Sequence, residues 1–417
     1  MKSSQTSFRA PRGVDLDLSP VEAARRCRHL PGLVFFDSAL ETPAARQISI
    51  IAACPTEVLA GSSGQAWELL AAKVAERQTP DLADFGCPAG FAAGSVNYDG
   101  SFCFGFYDDL LIYHHGAGEW TGAGDLISRL GISGPRQPPE RLDFKPGVTR
   151  DCFCEWVRRA QEYIAAGDIY QVSLSRQFVS PFRGDPWEFY EALRHYSPAP
   201  FAACLALDGS EILSSSPELF LRMNGRHIVT RPIKGTRPRR QESIADEKSA
   251  YDLLTSPKEI AELVMITDLE RNDLGQVCEF GTVTVRELLR LERYEQVFHL
   301  VSEVEGRLRP DVSHVSALQS CFPGGSITGA PKKRAREIIA EIEPVPRGLY
   351  TGAIGYFGFN GESQFSIAIR TAVVQDGLAR FGVGAGIVAD SIPEKEYDET
   401  LDKAAGILLA AERYASG

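Results

Sequence analysis

Four dipeptides limit what this chain can fold into more than any other feature. Asp208-Gly209, Asn224-Gly225, Asn360-Gly361 and Asp376-Gly377 each separate two apolar or alternating runs. Such pairs supply the residues with φ > 0 that a type I′ turn needs, so each marks a β-hairpin. Four hairpins mean antiparallel sheet, hence an α+β fold rather than a doubly wound parallel one. Within Gln364–Gln375, alternation sets Phe365, Ile367, Ile369 and Val373 on one side and Ser366, Ala368 and Arg370 on the other. The first side reads as core, and the second carries an arginine.

Ser133–Gly147 is rich in Pro, Gly and Arg and reads as a linker. Thr149 then offers a cap for a helix with Phe153, Trp156, Val157, Ala160, Tyr163 and Ile164 on one stripe, stopped by Gly167. Residues 1–149 are expected to be an N-terminal packing region and residues 150–417 the functional core. The formal net charge of −11 argues against nucleic-acid binding, which needs a basic surface. An anionic substrate would therefore need local positive charge. No apolar run approaches the ~20 residues that span a membrane, and Met1–Gly13 lacks an apolar signal core. Nine scattered cysteines without a C-x-x-C pair suggest reduced thiols in a cytoplasmic protein.

Two helices have strong start signals, Ser256-Pro257-Lys258-Glu259 and Ser391-Ile392-Pro393-Glu394. Each carries glutamates three residues apart, which share a helix face: Glu259 with Glu262, and Glu396 with Glu399. On the second helix Leu401, Ala405, Leu408 and Leu409 form the expected apolar stripe, leaving its glutamates as either a solvated face or ligands. On the first, Ile260, Leu263, Val264, Met265 and Ile266 surround Glu262, so its carboxylate is expected to be paired or metal-bound. Glu259 reads equally as the reciprocal member of a capping box.

Three further segments could do chemistry. Lys234, within Arg231–Arg239, is either a solvated loop residue or a placed amine. Gly382-Val383-Gly384-Ala385-Gly386 resembles a cofactor loop but leads into no clear helix, so glycine there more plausibly lets backbone N–H groups approach an anion. Gly324–Lys332 lacks the G-K-[ST] ending of a nucleotide-binding loop.

Taken in order, PIKGTRPR, KEIAELVMITDLERNDLG, FHLVSEVEG, PGGSITGAPK, GLYTGAIGYFG, SIAIRTA and GAGIVADSIPEKEYDETLDKA resemble the chorismate-binding enzymes. That family includes anthranilate synthase component I, aminodeoxychorismate synthase component I, and isochorismate and salicylate synthases. The resemblance covers about residue 150 to the C-terminus. It implies two antiparallel sheets packed at a steep angle, helices outside, and a site between them. It further implies Mg²⁺ held by Glu262 and Glu399, with Glu259 and Glu396 holding its waters. Gly384, Ala385 and Gly386 would meet the ring carboxylate of chorismate, and Tyr350 and Arg370 the enolpyruvyl carboxylate. His299 would lie near the departing C4 hydroxyl, and Ser326 and Thr328 would line the ring, beside Gly235 and Thr236.

Two positions separate the family's reactions. Water-using members carry a lysine where this chain has Gln171, which cannot activate water. In the PIxGT segment the resemblance to aminodeoxychorismate synthases rests on Lys234, where anthranilate synthases carry a small residue. The lysine would attack C2 and be displaced when ammonia adds at C4, with Glu218 taking and returning a proton. No glutaminase segment is apparent, so a glutamine amidotransferase partner is expected to supply ammonia. The stretch Val34–Ala39 lacks the element that helps bind tryptophan in anthranilate synthases. The alternatives are anthranilate synthase component I and a non-catalytic chorismate-binding regulatory subunit.

Overall fold

The computed structural model describes residues 11–40, 47–79, 86–132, 141–294 and 297–414. All four expected hairpins form, by three different turn chemistries. Asp208 and Gly209 (φ 50° and 71°) and Asp376 and Gly377 (φ 52° and 70°) place both central residues in the left-handed region, as type I′ requires. Asn224 instead ends its strand opposite His227, so the turn is Gly225-Arg226 with only Gly225 at positive φ, 55°. At Asn360-Gly361 the Gly361 N–H returns to the Gly358 carbonyl at 3.1 Å, giving a longer loop closed at φ 82°.

The described strands form two sheets, of twelve and ten strands, antiparallel in the pairings that build the site. In the first, Phe201–Leu207, Ser210–Ser216, Thr371–Gln375, Leu378–Ile387 and Gln171–Pro181 lie side by side. In the second, Ile233–Pro238, Val297–Arg307, His227–Arg231, Leu219–Asn224, Glu362–Ile367 and Ala353–Gly358 do so. Strands from the first part of the chain extend both: Val34–Asp37 pairs with Phe201–Leu207, and Phe91–Val96 with Ala353–Gly358. One buried cluster joins Val34, Ile50, Leu205 and Ile212 of the first sheet to Phe91, Tyr107, Ile354 and Tyr356 of the second. Other clusters seat helices on the outer faces, burying apolar area at roughly 25 cal/mol per Å².

The helix Arg150–Ala165 matches expectation. Thr149 accepts from the Cys152 N–H at 3.3 Å, and Phe153, Trp156, Val157 and Ala160 are buried. Of the linker stretch, residues 133–140 lie outside the described residues, while Lys145–Pro146 pairs with Phe178 and Val179.

The expected single strand through Arg370 is instead two strands in different sheets. Glu362–Ile367 ends in the second sheet, the chain turns through Ala368–Arg370, and Thr371–Gln375 joins the first. Arg370 makes the corner at φ 49°, a costly conformation for a residue with a Cβ. Beside it the chain crosses the other way, from Ser210–Ser216 through Pro217 and Glu218 into Leu219–Asn224. The crossings are tied together: the Ile367 N–H reaches the Glu218 carbonyl at 3.1 Å, and the Ser215 N–H reaches the Arg370 carbonyl at 3.0 Å.

The last helix, Pro393–Tyr414, also departs from expectation. Its buried side is Glu396, Thr400, Ala404, Ile407, Ala411 and Tyr414, while Leu401, Ala405 and Leu409 are exposed. The helix packs against the glycine-bearing strand Leu378–Ile387 and the helices Arg150–Ala165 and Pro186–Tyr196. Small side chains fit such close contacts where leucines would overpack.

Candidate active site

The first glutamate pair stands at the start of the helix Pro257–Val277. Ser256 accepts from the Glu259 N–H at 3.4 Å, as the cap predicted. The reciprocal half of the capping box is absent, because Glu259 turns to Arg237 at 3.4 Å. The bend at Gly235 (φ 74°) permits this: a Cβ there would lie 2.9 Å from Glu259 Oε2. Glu262 is largely buried, and burial raises its carboxyl above the usual range.

The second pair divides: Glu399 is 42% exposed at its side chain, while Glu396 turns inward. Glu396 is only 3% exposed at its side chain. Ser391, expected as a cap, instead donates to Glu396 Oε1 at 2.7 Å and accepts from the Val388 N–H at 3.1 Å. Burial pushes Glu399 up, but Lys403 at 2.7 Å outweighs it, and the carboxyl sits below its ordinary value. Lys258 reaches both helices, 3.4 Å from Glu396 and 3.9 Å from Glu262. The sequence reading missed Lys258 and Lys403; each lies four residues from a named glutamate, the only signal available.

Glu262 Oε1 and Glu396 Oε2 are buried without a hydrogen-bond partner. Unpaired buried carboxylate oxygens are costly, so this end of the site fits a cation. Among the described residues no three His, Cys, Asp or Glu side chains converge into a ready metal cage.

At the other end, Lys234 donates to the Ser326 carbonyl at 3.3 Å while the Ser326 hydroxyl donates to Glu218 Oε1 at 2.7 Å. Glu218 is buried, and burial raises its carboxyl against the pull of Ser326 and Lys234. Gln171 is fully buried, with neither amide atom partnered. A Cβ on Gly386 would lie 2.7 Å from its Nε2 and 3.7 Å from Lys234 Nζ. Thr328, two residues beyond Ser326, turns its hydroxyl to the Gly324 carbonyl at 2.8 Å.

The glycine segment is strand rather than loop. Gly382–Ile387 pairs with Val172–Gln177 on one side, but Thr371–Gln375 reaches only as far as Phe381 on the other. Beyond Phe381 that edge is free of this neighbour, so the expected backbone approach is available from one side. Lys403 donates to the Gly384 carbonyl at 2.9 Å, and Tyr350 packs so closely that a Cβ on Gly382 would meet its ring at 2.2 Å and one on Gly384 its hydroxyl at 3.0 Å. Ala385 turns away into a cluster with Val172 and Ile338.

His299 and Arg370 line a cavity of about 190 Å³, with Tyr294, Pro217, Asp402 and Lys403. His299 Nδ1 lies 2.9 Å from Thr236 Oγ1, and burial, helped by Arg370, lowers the imidazole to about 4. It is neutral at pH 7. Burial also lowers Arg370, whose guanidinium has no recorded partner among the described residues and so suits an anion. Hydrogen bonds and ion pairs join Lys234, Ser326 and Glu218, link Glu262 to Glu396 through Lys258, and link Glu399 to Gly384 through Lys403, which also borders the cavity of His299 and Arg370; Tyr350 lines a different cavity with Gly382.

Residues 47–409 match the family model described as chorismate binding enzyme. The chain is 47% identical over 277 residues to anthranilate synthase component 1 of Thermus thermophilus, covering 66% of this chain and 60% of that protein. It is 48% identical over 296 residues to the Synechocystis protein of that name, covering 69% and 57%. It thus spans about 60% of the length of these curated relatives. Among solved structures, anthranilate synthase component I from Streptococcus pneumoniae superposes with TM-score 0.78 at 29% identity, covering 88% of this chain and 93% of that one. The menaquinone-specific isochorismate synthase from Escherichia coli, at 19% identity and TM-score 0.79 over 96% and 93%, shares the fold. No described helix is long and apolar enough to cross a membrane. On the family match and this shared fold, the chain belongs to the chorismate-binding enzymes.

Proposed function

We propose that the chain aminates chorismate with ammonia from a glutamine amidotransferase partner, and that nitrogen enters at C4 to give 4-amino-4-deoxychorismate. The observation carrying this reading is the amine of Lys234, joined through Ser326 to the buried carboxylate of Glu218. Glu218 takes a proton from the Lys234 ammonium, and the free amine attacks C2. The ring double bond shifts, the C4–O bond breaks, and the hydroxyl leaves as water with that proton. Glu218 then removes a proton from the new C2 ammonium and returns it when ammonia adds at C4 and the C2–N bond breaks. His299, being neutral, orients the C4 hydroxyl by a hydrogen bond rather than protonating it. Gln171 supplies no base, which disfavours water as the nucleophile.

Arg370 and Tyr350 hold the enolpyruvyl carboxylate. Glu262 and Glu399 would hold Mg²⁺, with Glu259 and Glu396 to hydrogen-bond its waters, and the ion would neutralise the ring carboxylate and the charge shifting through the ring. Residues 1–149 act as a packing region around a catalytic core of 150–417, and none of the site residues lies among them. The free cysteines favour a cytoplasmic location.

A second reading is amination at C2, as the name anthranilate synthase says of the similar proteins, and those names favour it over C4. Incubation with chorismate, Mg²⁺ and ammonium, with the product identified by mass and NMR, decides between them. The 4-amino product is expected; anthranilate as main product would falsify the C4 assignment. Glutamine should replace ammonium only when an amidotransferase is added, and glutamate released by this chain alone would refute the partner.

A further inference from the structure

The ERND segment, residues 270–273, lies eight residues beyond Glu262, and the chemistry above leaves it without a task. Its two acidic side chains are buried: Glu270 and Asp273 are 3% and 2% exposed. Glu270 Oε1 accepts the Gly325 N–H at 3.0 Å, at the start of the short turn Gly325–Ile327. Asp273 pairs with Lys332, which also donates to the Cys321 carbonyl at 2.9 Å. Cys321 ends one helix and Lys332 begins the next. The loop between them is therefore held at both ends by one lysine and at its middle by one carboxyl. That loop carries Ser326, the group touching both Lys234 and Glu218.

We propose that Glu270, with the Asp273–Lys332 pair, is a positioning residue for Lys234, fixing the turn through which Ser326 sets the amine against Glu218. The proposal rests on the reading of Lys234 as nucleophile but makes a separate claim about placement. The geometry is tight: a Cβ on Gly325 would lie 2.6 Å from Leu269 and 3.1 Å from Glu270 Oε1, so the turn sits directly on this helix. Burial and the neighbouring Asp273 push the Glu270 carboxyl up, towards its neutral form, in which Oε1 still accepts the Gly325 N–H. Glutamine reproduces that state.

The test compares Glu270→Gln and Glu270→Leu with wild type, reading kcat and KM for chorismate and the rate at which acetic anhydride labels Lys234, followed by peptide mass. Glu270→Leu should lower kcat by at least ~10-fold with KM within about 2-fold, and should change the labelling rate at least ~3-fold. Glu270→Gln should stay within about 2-fold of wild type in all three. Asp273→Asn is measured alongside, with a smaller effect of the same pattern, so the test survives if Glu270→Leu does not fold. Wild-type labelling and kcat in Glu270→Leu would overturn the proposal, as would equal losses in the Gln and Leu variants. Labelling needs no turnover, so the expected labelling pattern with anthranilate as product would leave the placement standing and sink only the C4 reading.

Discussion

The two ends of the site are built on opposite plans. At the carboxylate end, four glutamates on two helices are faced by Lys258, Lys403 and Arg237, and two buried oxygens still lack partners. At the amine end, Lys234, Ser326 and Glu218 bond one another, and Thr236 holds His299. The first has unmet bonding capacity and is suited to receive charge from outside. In the second, these five groups bond one another and keep a fixed geometry before any ligand arrives, while the neighbouring Gln171 amide is left unpartnered. Binding and chemistry should therefore separate under mutation.

The sharpest break should come at the carboxylate end. Glu262→Gln is expected to weaken Mg²⁺ binding, read by calorimetry, and to cost about 4 kcal/mol of transition-state stabilisation, near 1,000-fold in kcat/KM. Full turnover in excess chelator would refute the assignment. Next, Lys234→Ala should cost about 3 kcal/mol in kcat, with KM for chorismate within about 3-fold, and should admit some C2 amination. An equal loss in KM would make the amine a binding group instead and erase the contrast.

A smaller effect concerns stability. The folded imidazole of His299 lies near 4, below its ordinary value, so between about pH 6.5 and 4 the unfolded chain binds the extra proton. Stability from this group is thus complete at neutral pH and falls as pH drops through that window. Denaturant unfolding should show His299→Gln losing roughly 2 kcal/mol less than wild type from pH 7 to 4; parallel curves would show that the imidazole is not held neutral. Smallest, Arg370→Lys keeps charge but loses the planar fork, and should raise KM about 10-fold, ~1.4 kcal/mol, with the melting temperature little changed. Unchanged kinetics would remove Arg370 from the binding end.

The glutamate spacing and the hairpins were legible because both are local rules: turn dipeptides fix φ, and a three-residue interval fixes a helix face. The crossing at Arg370 was not. Period-two alternation runs on through Ile369, and no glycine marks the left-handed corner, so one strand was expected where two meet. The last helix misled for a different reason. Hydropathy selects Leu401 and Leu409 as core, but the face packed on its neighbours is the one carrying Thr400, Ala404, Ile407, Ala411 and Tyr414, where small side chains alternate with large ones. The roles of Lys258 and Lys403, and the double contact of Ser326, arise only when distant segments meet.

The paired crossings beside Glu218 and Arg370 also bear on how the molecule comes apart. The first sheet contains strands from before, between and after the two crossings, the second contains strands from before and between them, and the crossings bond one another. Neither sheet can be cut out as a continuous fragment, so neither has an independent folding unit to fall back on. Protection of backbone amides against exchange should therefore be lost from both sheets around Glu218 in a single opening event. A chain divided at Pro217 should yield two halves that fold only in each other's presence, with the Glu218 carboxylate at the seam.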